Sequence, residues 1–161
     1  MVNLQKLART TAILACAAAG LTATVLLASP GSGLTSTVFV TATNQYDALI
    51  NQDRVKFQTK DPTVVRVQKL VFAAGGYSGW HHHPGTIIVA VESGIVTLFD
   101  ANCGSRSYGP GNPNGSVFVE GHDEAQQAYS AAGATVYVTY IAPNASPPVF
   151  RIEDDIPACA Q

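Results

Sequence analysis

Polar and apolar positions along this chain alternate in short bursts, each closed by glycine, proline, asparagine or aspartate. Residues 64–72 read Val-Val-Arg-Val-Gln-Lys-Leu-Val-Phe, β-branched and partly alternating, and run into Ala73-Ala74-Gly75-Gly76. Residues 86–91 are a buried-strand composition ending at Glu92-Ser93-Gly94, and residues 95–99 lead into a turn at Asp100. Residues 116–120 and 134–141 repeat the pattern, and residues 37–41 supply a first strand. Each run has the length and β-branched content of a strand. Residues 46–50 predict a short helical turn. Residues 108–115, rich in Gly, Pro and Asn, are a loop. No stretch beyond the N-terminal segment keeps a 3.6-residue period, so the expected class is all-β, a sandwich or barrel. The chain divides into a signal or hydrophobic segment at 1–30, an extension with a strand at 31–63, a β-barrel at 64–142 and an irregular strap at 143–161.

The N-terminal segment changes the picture of where the protein works. Lys6 and Arg9 precede an uncharged run from residue 11 to 28, and small residues follow at Ala28-Ser29-Pro30-Gly31. This is the layout of a secretory signal. An uncleaved membrane anchor ranks second, because about 17–25 apolar residues suffice to span a bilayer. A lipid anchor at Cys16 ranks third. The expected location is secreted or cell envelope, with membrane contact only if the leader stays attached. Beyond the leader the cysteines are an even pair, Cys103 and Cys159. In an oxidising compartment a disulfide is the default, contributing about 3 to 4 kcal/mol in the chain-entropy view, and two free thiols are the alternative. A net charge of −2 with 12% charged residues leaves no polyanion-binding face, so nucleic acid is not an expected partner.

Candidate chemistry gathers at Gly79-Trp80-His81-His82-His83-Pro84-Gly85, which holds three of the four histidines. In an extended strand His81 and His83 share a face, about 7 Å apart, while His82 points to the other side. Two imidazoles on one face can converge on a divalent metal. A polar loop lined by histidines is the competing reading. Ser78 and Ser93 lie near histidines but not in a nucleophile-elbow context, and residues 109–115 lack the Lys-Ser/Thr of a phosphate loop.

In this context the chain resembles the cupins, small β-barrels of jelly-roll type (double-stranded β-helices). Their first motif is Gly, five residues, His-x-His, three or four residues, Glu, six residues, Gly. Gly75, His81, His83, Ile87 and Gly94 reproduce the spacing, with Ile87 where the glutamate stands. Glu92 does not repair the loss, since it falls in the turn before Gly94. In the second motif Gly115 leads to Gly121 at the proline, Asp123 at the glycine, Gln126 at the histidine and Ser130 at the asparagine. The likeness covers residues 64–141 and is greatest to small exported actinobacterial cupins with a Gly-Trp-His-x-His-Pro-Gly signature. In that subgroup the glutamate is commonly aliphatic and paired cysteines recur in like positions.

The resemblance implies a single jelly-roll domain after the signal segment, and pairing through barrel edges into a homodimer. It implies a metal position at His81 and His83, completed by Gln126 or by His122 in the loop before it. Ile87 removes a charge that would offset a divalent cation, so one divalent transition metal is expected to bind weakly or not at all. Glu120, Asp123 and Glu124 offer carboxylates near the barrel mouth, with a solvated acidic loop as the blander reading. The expected ligand pocket is apolar, lined by Trp80, Ile87, Val89, Val96, Leu98, Tyr137 and Val138. The resulting functional expectation is an exported cupin-domain protein that binds a small molecule and a divalent metal through a degenerate site. The alternative is a metal-dependent oxygenase- or isomerase-type enzyme using His81 and His83, and whether the protein is catalytic stays open.

Overall fold

The structure is a computed structural model describing residues 30–121 and 123–161. Residues 1–29 of the leader expected at 1–30, with Cys16, lie outside the described residues, as does His122. Among the described residues there is no α-helix, and the fold is all-β as the alternation predicts. The strands are β1 (Ser32–Asn44), β2 (Ala48–Gln52), β3 (Val55–Thr59), β4 (Thr63–Tyr77), β5 (His81–His82), β6 (Thr86–Gly94), β7 (Val96–Asp100), β8 (Ser105–Tyr108), β9 (Val117–Glu120), β10 (Gln126–Ser130), β11 (Ala134–Pro143) and β12 (Ile152–Glu153). A 3-10 turn at Ala158–Ala160 closes the chain.

Two antiparallel four-strand orders build the barrel, β4-β11-β6-β9 and β5-β10-β7-β8. This is jelly-roll topology. β1 extends the first order along β4, and β12 adds to the second along β5. The two sets join because β4, expected to stop at Ala73–Gly76, runs through that stretch, so that Tyr77 pairs with Tyr129 of β10. Gly76 makes this corner feasible, since a Cβ there would meet the Gly33 carbonyl oxygen at 2.7 Å.

The helical turn expected at residues 46–50 is instead the start of a β2–β3 hairpin, with Gln52 opposite Val55 and Asp53 at φ 51°. Ile50 and Val55 favour a pleated strand, and an aspartate tolerates the left-handed turn position.

Strand alternation places the core. On β11, Ala134, Val136, Val138, Tyr140 and Ala142 are buried in strict alternation, beside Ile87, Val89 and Val91 of β6 and Phe118 of β9 on the same inner face. Val136 is 1% exposed, and full burial of such a side chain stabilises the fold by about 1.5–3 kcal/mol. Tyr137, expected in the pocket beside Val138, lies on the outer face, where its ring stacks on Phe39 at 6.2 Å and its hydroxyl donates to Glu92. Neighbouring residues of one strand cannot both point inward.

Candidate metal centre

The chain enters the site at Gly79, whose φ of 73° reverses the backbone after β4. That turn presents the Gly79 carbonyl to both the Ser78 hydroxyl and His81 Nδ1, each at 2.9 Å. His81 and His83 then point inward, 6% and 3% exposed, with ring centroids 4.7 Å apart. His82 faces the other way, as the period of two predicts, and its Nδ1 sits 2.9 Å from both carboxylate oxygens of Asp154.

Glu120 completes the group. It is 6% exposed, and one of its oxygens lies 3.1 Å from His83 Nε2. One donor atom each from His81, His83 and Glu120 lie within 4.8 Å of one another. Glu120 stands directly across from Ile87 in the β6–β9 ladder. Position 87 of β6 has no carboxylate, and its cross-strand neighbour places one on the same inward face. This corrects two expectations, that the charge is lost with Ile87 and that Glu120 belongs to a solvated loop. Asp123 and Glu124 are exposed, in keeping with such a loop. The clue to Glu120 was its alternation with buried Phe118, but only the ladder register puts it beside Ile87.

Hydrogen bonding fixes which nitrogens are available. His83 Nδ1 donates to the Phe150 carbonyl at 2.6 Å and His81 Nδ1 to that of Gly79, so the Nε2 atoms are the free donors of electron pairs. A metal-binding histidine is held in this way, its other nitrogen anchored to a carbonyl. Among the described residues no lysine or arginine lies within 4 Å of the Glu120 carboxylate. Two acceptors, His83 Nε2 and Glu120, face each other in a buried place and call for a cation between them, a proton or a metal ion. Donors at about 2.0–2.2 Å from a shared metal in tetrahedral or octahedral array lie about 2.8–3.6 Å apart, a spacing the His83–Glu120 pair already has at 3.1 Å, and the remaining separations have to close by about an ångström.

At His81 electrostatics favour the neutral imidazole. Burial, reinforced by the Arg151 charge, lowers His81 from 6.5 to about 3. Burial and the Glu120 charge push the Tyr140 phenol up to about 12. Its hydroxyl accepts from Gln68 Nε2 at 2.8 Å and its ring meets His83 edge-on at 5.6 Å. Arg151 binds both oxygens of Glu153 and holds that carboxyl below its ordinary range.

Gln126, the other predicted ligand, pairs with His81 in the β5–β10 ladder and is half-buried, which places it on the same face. The interior cavity is about 40 Å³ and is lined by Val89, Val96, Val138, Phe118, Glu120 and Tyr140 among others. Of the predicted pocket, Val89, Val96 and Val138 line it. Ile87 and Leu98 pack in the core without reaching it, and Tyr137 faces outward. Trp80 is buried against a groove on the outside of the barrel, beside Tyr77, Phe99 and Ile156, because its neighbour His81 takes the inward position. A recess of about 370 Å³ adjoins the cavity at Leu70, Ser78 and Tyr140 and is walled by residues 30–34, Gln68 and Arg151. Cys103 and Cys159 are joined, with Cα atoms 6.1 Å apart.

No protein-family model matches the sequence, and no curated protein matches it. Among solved structures the chain is similar to a conserved protein of unknown function from Streptococcus pyogenes, at 15% identity and TM-score 0.48, covering 70% of this chain and 76% of that one. It is also similar to a cupin-2 domain from Rhodospirillum rubrum, at 12% identity and TM-score 0.48, covering 79% and 71%. A salicylate 1,2-dioxygenase from Pseudoaminobacter salicylatoxidans matches at 12% identity and TM-score 0.46 over 67% of this chain, which spans only 25% of that enzyme.

Proposed function

We propose that this protein is an exported, cupin-like barrel that binds one divalent transition metal through His81 Nε2, His83 Nε2 and the Glu120 carboxylate. The observation that carries the reading is the buried Glu120 carboxylate 3.1 Å from a histidine nitrogen whose partner nitrogen is already committed to a backbone carbonyl. Two imidazoles and one carboxylate form a donor set suited to zinc, iron, manganese or nickel and leave further positions for water or substrate. The chain's own residues supply the rest. Phe150 and Gly79 orient the imidazoles, and Tyr140 offers a phenol that stays protonated. The apolar wall of Val89, Val96 and Val138 excludes bulk water.

Size narrows the ligand. A cavity of about 40 Å³ holds a species of roughly water or dioxygen dimensions, whereas pockets for larger ligands run to about 300–1,000 Å³. An organic ligand has to approach through the recess at Gln68, Tyr140 and Arg151, and that recess favours the second reading, a metal-dependent enzyme of oxygenase or isomerase type. Bound at the centre, the metal would supply Lewis acidity or, as iron, dioxygen chemistry. Export is supported by the leader pattern and by a disulfide between two exposed cysteines.

Elemental analysis of untagged protein, purified without chelators, tests the metal. We expect about one metal per chain in the wild type, and none in His81→Ala/His83→Ala or in Glu120→Ala. A wild type free of metal after exposure to each candidate cation overturns the proposal. Metal retained at full occupancy in Glu120→Ala removes the carboxylate from it. The N-terminal mass of protein recovered outside the cell tests export.

A further inference from the structure

Residues 150–154 of the C-terminal strap hold residues 78–83 at successive points. The Phe150 carbonyl accepts from His83 Nδ1, and Arg151 Nη2 donates to the Ser78 carbonyl at 2.7 Å. Ile152 and Glu153 pair with His82 and His81 in the β12–β5 ladder. The Asp154 amide donates to the Trp80 carbonyl at 3.0 Å, and its carboxylate takes His82. The inward histidines are thus set from outside, by a segment remote in sequence.

The ladder carrying this segment has only two residue pairs, and a strand pair so short is marginal by itself. Two anchors flank it. Upstream, the Phe150 ring packs edge-on against Tyr140 at 5.7 Å beneath the Arg66 guanidinium at 3.9 Å. Downstream, Cys159 is tied to Cys103 in the turn after β7. Both cysteines are exposed, so a reductant reaches them.

We infer that the strap is the positioning element of the metal centre, and that the Cys103–Cys159 bridge, by tying its end, sets how tightly the centre holds its metal. This rests on the metal reading above. Without the tie the strap gains end freedom that must be lost again whenever β12 pairs with β5. Each time it leaves, His83 Nδ1 loses its acceptor and the tautomer with Nε2 free is no longer enforced. Loss of such an outer partner weakens metal binding by about 10- to 100-fold. Metal retention then depends on the thiol state. A dithiol reductant passes two electrons and two protons to the bridge, giving two cysteine thiols while its own sulfurs join in a disulfide.

Cobalt titration of the metal-free protein, followed by visible d–d absorption alongside thermal melting, tests this. Cys103→Ser/Cys159→Ser is used because free thiols would themselves take cobalt. We expect it and Asp154→Ala to bind Co²⁺ about 10-fold or more weakly while still melting cooperatively. Asp154→Asn, which keeps an acceptor for His82 Nδ1, should recover most of the affinity. Wild-type affinity, within about twofold, in both the double-serine and Asp154→Ala variants overturns the inference and leaves the metal centre standing. A wild type that takes up no cobalt removes the centre and the inference together. If the double-serine variant does not fold, folded wild type reduced with a phosphine and alkylated at both thiols before cobalt is added makes the same comparison, with the same outcomes decisive.

Discussion

Along one stretch of the barrel interior Val89, Val96, Phe118, Val136 and Val138 close around about 40 Å³; at its rim His81, His83 and Glu120 face one another under Phe150. The change takes a single step of the pleat on each strand. Phe118 gives way to Glu120 on β9, and Val138 to Tyr140 on β11. The same alternation that buries methyl groups delivers the donors, so the backbone does not distinguish them. Energetically they are opposites. The apolar stretch stabilises the barrel, whereas the rim holds a carboxylate and two imidazoles out of water, a cost that only a bound cation offsets in full.

That contrast can be broken from either side. Phe118→Ala, in the apolar stretch, should cost about 3–5 kcal/mol in denaturant unfolding, with cobalt affinity little changed. Next comes acid. His81 titrates near 3 in the folded chain against 6.5 when unfolded, so between those values the unfolded chain binds more protons. Stability of the metal-free protein should therefore fall as pH drops from about 6.5 toward 3, by on the order of 4 kcal/mol from this group. His81→Leu should flatten that slope, and an unchanged slope would mean the histidine is solvated. Third, His83→Leu/Glu120→Leu should leave the metal-free barrel as stable as the wild type or about 1–3 kcal/mol more so, while abolishing metal uptake. Destabilisation of that double variant would show that the rim contributes to folding without metal. The smallest effect is expected at Tyr137→Thr, within about 1 kcal/mol by melting, since Tyr137 stands on the outer face.

Much of this was legible along the chain. The alternation at 64–72, 86–91, 95–99, 116–120 and 134–141 located β4, β6, β7, β9 and β11, because their side chains carry the inside–outside distinction themselves. β5, β8 and β12 carry no such mark. His81-His82, Ser105–Tyr108 and Ile152–Glu153 are strands because a neighbour completes their ladders. Residues 46–50 read as a helical turn, and β2 forms there instead, its apolar residues being too few to show a period. At the site, His81 and His83 were legible from a period of two, and Cys103 with Cys159 from parity.

What the sequence determined by itself was the inventory and its local direction: an all-β chain, two histidines pointing one way and a third the other, two cysteines able to bridge. Tertiary structure decided the partners. Ladder register put Glu120 across from Ile87, and strap docking gave His83 its acceptor at Phe150 and His82 its carboxylate partner at Asp154. The physical reason is range. Side-chain direction follows from a residue's own backbone, whereas register and docking follow from packing between segments far apart in the chain, which no local pattern encodes.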